Sequence, residues 1–147
     1  MKLKIHALSG GIALLTISTF WISTVLSELF ASHATIASVK TGVLFGMIVL
    51  IPAMTTAGAT GAALGKGWKL PQVGRKSKRM QIIAANGLLI LLPSAIFLAL
   101  RARADQFDAL FYSVQALELV AGATNITLLT RNMKDGLALR ARKLSRT

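Results

Sequence analysis

The stretch QALELVAGATN, residues 115–125, places Gln115, Glu118 and Asn125 inside an otherwise apolar segment. With Gly122 they follow steps of three, four and three, so they share one face of an α-helix, a face that Asp108 and Phe111 extend. An ionised carboxylate in the middle of a membrane span costs at least about 2.5 kcal/mol, so Glu118 must be paired, protonated or hydrated inside a bundle. Lys40, in the second apolar block, is the expected partner, because its long side chain can reach from the outer part of that block toward Gln115 and Glu118. Glu28 competes for the same lysine from nearer the outer surface. Such a constellation is either a site for a proton, a cation or a small polar solute, or an ion pair that fixes helix register. Asn86 and Asn125 count to a similar depth and predict an interhelical amide hydrogen bond, worth about 0.6 kcal/mol on average in membranes. The ligand-contacting set expected from these spacings is Lys40, Asn86, Gln115, Glu118 and Asn125.

His6 and His33 are the two histidines, and they raise the idea of a b-type haem or a metal site. They fall at opposite ends of adjacent apolar blocks, so one subunit cannot place both on one iron. A His6–Met54 pair, or like histidines meeting across a dimer axis, would restore the idea. Met47 and Met54, with His33 above them, could form a soft path for Cu(I), but methionines seven apart in an apolar helix are more often packing. No cysteine is present, which removes disulfides, thiolate ligands and thiol nucleophiles. Nor does the chain carry an HExxH pair, a GxSxG elbow or a glycine-rich phosphate loop, so an enzyme is not expected unless a bound cofactor supplies the chemistry.

These residues need long apolar helices to position them. Of the 147 residues 54% are hydrophobic, and they gather into four blocks at roughly 5–29, 33–62, 80–100 and 106–130. Each reaches the roughly 20 apolar residues that cross a bilayer core, and too little chain remains for a second core. The expectation is therefore an all-α, four-helix transmembrane bundle forming a single domain over 1–147. A basic loop over 65–79 and a basic tail over 131–147 complete it. The N-terminal block exceeds a signal-peptide core of about 7–15 residues and is expected to be the first span.

The net charge of +12 would suggest nucleic acid in a soluble protein, but its placement argues otherwise. Lys2 and Lys4, the 66–79 loop and the tail all lie on one side of a four-span chain, while the other side holds only Arg101 and Arg103 in its loops, together with Glu28, Asp105 and Asp108. The positive-inside rule then puts both termini and the central loop in the cytoplasm of a multi-pass inner-membrane protein. Anionic lipid headgroups, and not nucleic acid, are the expected partners of that surface. Trp68 in the loop is expected to dip into the headgroups.

In the second block His33, Lys40, Met47, Met54 and Gly61 recur at intervals of seven and define one face. Gly42 and Gly46 form a GxxxG pair on the back of that helix, predicting a close contact within the bundle or across a dimer. Pro52 and Pro93 predict kinks in the second and third blocks. Two functions fit this pattern. One is a binding or transport module for a proton, cation or small polar solute, built on the facing stripes of the second and fourth spans. The other is a haem- or quinone-binding electron-transfer or accessory subunit of a larger membrane complex, and either could act as a homo-oligomer.

Overall fold

The structure is a computed structural model and describes residues 1–66 and 71–144. The protein is all-helical, with no strand among the described residues. Helix α1 covers Lys2–Phe30 and α2 covers His33–Gly65. Two residues separate them, and Ser32 caps α2 by accepting a hydrogen bond from the Thr35 amide, 3.4 Å away. A turn this short leaves the pair antiparallel.

The third rod is composite: α3 covers Pro71–Asn86, a π-helical turn covers Gly87–Leu91, and α4 covers Leu92–Arg103. Pro93 has no amide to donate and its ring crowds the preceding turn. The π turn just before it admits one extra residue, and the Leu92 amide donates to the Gly87 carbonyl. The inserted residue turns the helix face, so that Ile83 before it and Leu91, Ala95, Leu98 and Ala102 after it all point inward.

Helix α4 ends on paired backbone bonds, Asp105 N–H to Ala102 O and Gln106 N–H to Arg101 O, with Asp105 in the left-handed region at φ 52°. Helix α5 covers Ala109–Leu144. Asp108 starts it by accepting from the Phe111 amide at 3.0 Å, and it also pairs with Arg101. The Phe111 amide, then the Arg101 guanidinium, hold the Asp108 carboxyl below the usual carboxylate range. Asp108 ionises more readily folded than unfolded, so its contribution is full above the ordinary aspartate range and is lost as pH falls through the depressed value. Acidification should accordingly lower the protection of the Phe111 amide against hydrogen exchange, relative to the intrinsic rate at each pH, and an Asp108→Ala variant should abolish that pH response.

Two sequence expectations differ from this course. The basic segment expected to be irregular through residue 79 is helical from Pro71, and the tail expected from residue 131 continues α5 to Leu144. Proline suits a first helical position, and RKSKRM contains good helix formers, so the helix starts well before the apolar run does. In the tail, Asp135 gains a partner across the bundle in Arg79, at 2.7 Å. Trp68 lies outside the described residues.

The rods pack as a ring: α1 beside α2 and α5, and the α3–α4 rod beside α2 and α5. Helices α2 and α5 face each other across the diagonal without direct backbone contact. One core layer gathers Ala13, Ile17, Val43, Met47, Ile83 and Ala121, and a second, toward the α4–α5 turn, holds Ile36, Leu98 and Phe111. The exterior is apolar as well, with Leu15, Ile48 and Leu89 each more than 70% exposed. Among the described residues, three helical stretches are long and apolar enough to cross a membrane: Lys2–Phe30, His33–Gly65 and Gly74–Arg103. Helix α5 lacks that uniform apolarity because its polar stripe is part of the interior.

The GxxxG pair divides. Gly46 lies under Phe20 of α1, where an added Cβ would meet the ring at 2.3 Å, whereas nothing lies within 4 Å of a Cβ at Gly42. The contact expected at Gly46 is therefore the α1–α2 seam, and Gly42 takes no part in it.

Candidate functional site

The polar centre forms across the diagonal of the ring. Lys40 is 1% exposed, and its ammonium donates to Glu118 Oε2 at 2.8 Å. Gln115, one turn earlier on α5 and 4% exposed, donates its amide to the same oxygen at 3.1 Å. Their backbones are too far apart to touch, so the length of the lysine side chain is what closes the gap. The four methylenes of Lys40 run through apolar packing and carry the charge to the carboxylate.

Two buried acceptors at this centre lack a donor. Gln115 Oε1 is buried without a hydrogen-bond partner, and so is one carboxylate oxygen of Glu28. Glu28 lies within electrostatic reach of Lys40, Glu118 and His33. Of the two carboxylates, Glu118 alone bonds the Lys40 ammonium. Beside Glu118 lies a cavity of about 40 Å³, bounded by Ile17, Phe20, Trp21, Thr24, Met47 and Gly122 among others. A water needs about 10–15 Å³, so the space suits one to three waters and nothing much larger. Trp21 closes one wall: its indole donates to the Leu119 carbonyl at 2.9 Å and its ring lies on Gly122, where a Cβ would meet it at 3.0 Å.

One and two turns further along α5 the polar stripe continues. Asn86 donates to Asn125 Oδ1 and to the Ala121 carbonyl, both at 2.8 Å, and Asn125, fully buried, donates to the Ile83 carbonyl at 3.3 Å. Both amides are thereby engaged with helix backbone as well as with each other, which makes them packing groups between α3 and α5. Asn125→Leu should cost about 1–2 kcal/mol, at the upper end for interhelical hydrogen bonds, because Asn86 and a buried carbonyl lose their partners. Chemical unfolding in mixed micelles would measure it, and a cost near zero would show that the bonds are replaced on mutation.

Farther on, a second polar cluster joins α1, α2, α3 and α5. His6 Nδ1 lies 3.0 Å from the Ala57 carbonyl and 3.2 Å from Thr60 Oγ1, and Lys76 Nζ lies 3.3 Å from His6 Nε2. The carbonyl demands a proton on Nδ1, which leaves Nε2 to accept from Lys76. Gly61 permits this approach, since a Cβ there would meet His6 Cε1 at 3.0 Å. Arg79 reaches Asp135 at 2.7 Å and Asn132 at 3.5 Å. Asn132 follows Asn125 by seven residues, so the heptad drift of the α5 stripe was the signal for it, hidden by a segment that reads as a charged tail.

The histidines are far apart. His33 opens α2, stacks on Phe107 at 3.9 Å and pairs with Asp105 at 3.3 Å, while His6 contacts the Ala57 turn about 36 Å further along the same helix. His6 and Met54 do line one groove, between α2 and the α3–α4 rod. Met47 lines the same groove farther along α2, whereas His33 lies outside it, and no group of three or more His, Cys, Asp or Glu side chains suited to a metal ion occurs among the described residues. No protein-family model, no curated protein and no solved structure matches the chain.

Proposed function

We propose that the protein is a four-span inner-membrane protein, both termini cytoplasmic, whose buried centre at Lys40, Gln115 and Glu118 takes up and releases a proton or a small cation. The observation that carries this is a pair of buried oxygens without hydrogen-bond partners, Gln115 Oε1 and one oxygen of the half-buried Glu28, near a single buried ammonium. A pair needed only for register would be satisfied by Lys40 and Glu118 alone. The size of the adjoining cavity narrows the solute to something no larger than a few waters. Helix α5 acts as the fourth span, its carboxylate and amides shielded from lipid by the other three rods.

Infrared difference spectra of the purified protein, taken across a pH jump, test the proposal at the carboxyl stretch. A protonation band that vanishes in Glu118→Gln while Glu28→Gln alters its midpoint is the expected result. Proteoliposomes loaded with a pH dye should show a proton leak through wild type that falls at least tenfold in Glu118→Gln. Absence of both signals in a folded wild-type protein would reject the function.

The topology has its own test. Reporter fusions at residue 66 and after Lys134 should both report a cytoplasmic location, because the basic residues cluster at that end of the rods. Periplasmic activity at either position would reject four spans with both termini inside. The second functional reading, a haem- or quinone-binding accessory subunit, is favoured by the groove that holds both His6 and Met54. A Soret band or an extractable quinone in the purified protein is its signature.

A further inference from the structure

The groove between α2 and the α3–α4 rod is a site separate from the Lys40 centre. Helices α2 and α4 pack closely, but α2 and α3 meet only sparsely, and the space between them has a volume of about 650 Å³. That is the size of a small-molecule binding pocket. Its deep end is apolar, lined by Met47, Leu50, Leu91 and Leu92, and its mouth, at the basic end of the rods, carries Lys66, Lys76 and Ser77. From Met47 to Lys66 it follows α2 for about 28 Å, close to the thickness of a bilayer hydrocarbon core. Gly58 keeps the floor open, since a Cβ there would meet nothing closer than Met80 Cε at 3.9 Å.

Charge at the mouth is unbalanced. The hydrogen-bond partner of Lys76 is a neutral histidine nitrogen, and the acid across from it, Asp135, is already held by Arg79 at 2.7 Å. Lys66 stands exposed at the end of α2. An occupant with a long hydrocarbon part and an anionic head satisfies both ends, and it would lie parallel to the helices, as a lipid does. Basic pockets between transmembrane helices hold anionic headgroups in this way.

We infer that this groove binds one anionic phospholipid, with its phosphate between Lys66 and Lys76 and one acyl chain laid along Met54, Leu88 and Leu91 toward Met47. Because Met47, Leu50 and Leu91 also wall the small cavity beside Glu118, the chain end packs against the back of the polar centre.

Native mass spectrometry of the full chain in mild detergent, titrated with phosphatidylglycerol or phosphatidylcholine, tests this. One phosphatidylglycerol per chain should be retained, with at least tenfold preference over phosphatidylcholine. The double variant Lys66→Gln/Lys76→Gln should remove the preference, and Gly58→Leu, which fills the groove without changing charge, should remove retention itself. Unfolding temperatures of both variants, measured alongside, separate a lost site from a lost fold, and Lys66→Gln alone, at an exposed turn, should still lower the preference. Equal retention of the two lipids, competition by inorganic phosphate alone, wild-type retention in folded Gly58→Leu, or a haem, quinone or second copy of the chain in the groove would each overturn the inference.

Discussion

Replacing Lys40 and Glu118 together by methionine is expected to restore most of the stability that either single replacement removes. Each single change strands a charged or strongly polar group in a buried site, and breaking a buried ion pair from one side costs about 3–5 kcal/mol. Lys40→Met leaves Glu118 with Gln115 as its one neutral donor, beside a second carboxylate at Glu28. Glu118→Met leaves the Lys40 ammonium, 1% exposed, without the carboxylate that it bonds. In the double variant both charges are gone and two flexible apolar side chains fill similar volume, an exchange that is often neutral or stabilising by about 1–4 kcal/mol. Reversible unfolding of all four proteins in the same mixed micelles gives the coupling between the two positions. The same double variant separates structure from function. A stable protein that has lost its proton response fits a site whose chemistry is the reason for the buried charges. A stable double variant that still exchanges protons as wild type does would make the pair dispensable to function and the proposal wrong.

The second large effect is expected at the α1–α2 seam. Gly46→Leu should destabilise the protein by at least about 1–3 kcal/mol, the usual cost of overpacking, because the new Cβ alone would stand 2.3 Å from Phe20 Cζ. Phe20 is half-buried against the layer around Ile17 and Val43, so a leucine at 46 must displace packed side-chain atoms to fit. Gly42→Leu, one turn away, meets open space and should stay within about 0.5 kcal/mol of wild type. Adding Phe20→Ala to Gly46→Leu should recover part of the loss, because the truncated side chain vacates the volume that the leucine needs. Unfolding temperatures of the four variants decide the matter. Equal losses at Gly42 and Gly46 would mean that the seam involves a partner chain on the other face of α2.

The polar stripe of α5 is legible in the order of residues because helix geometry is local. Steps of three and four place Gln115, Glu118, Gly122 and Asn125 on one side whatever surrounds them, and lipid forbids that side from facing outward. The same logic marks Lys40, Met47 and Gly61 as one face of α2, and it leads from the stripe to the Lys40–Glu118 pair and the Asn86–Asn125 bond. It fails where helix continues beyond the apolar run. Residues 71–79 and 131–144 are basic and read as loop and tail, yet they coil because their residue types favour helix and because Arg79 and Asp135 meet across two rods.

What the amino-acid order determined by itself was the set of faces: which residues must look inward, and that a buried carboxylate required a partner. What only the tertiary structure decided was which faces meet and where they part. The Lys40–Glu118 bond joins residues 78 apart in sequence across a diagonal that no periodicity specifies. Gly46 differs from Gly42 only through the position of one ring on another helix. The groove exists because α2 lies close to α4 and diverges from α3, and such divergence depends on how side chains interlock along both rods. Periodicity is a property of a single helix, whereas contact is a property of pairs, and packing fixes the pairs only when all the rods are present together.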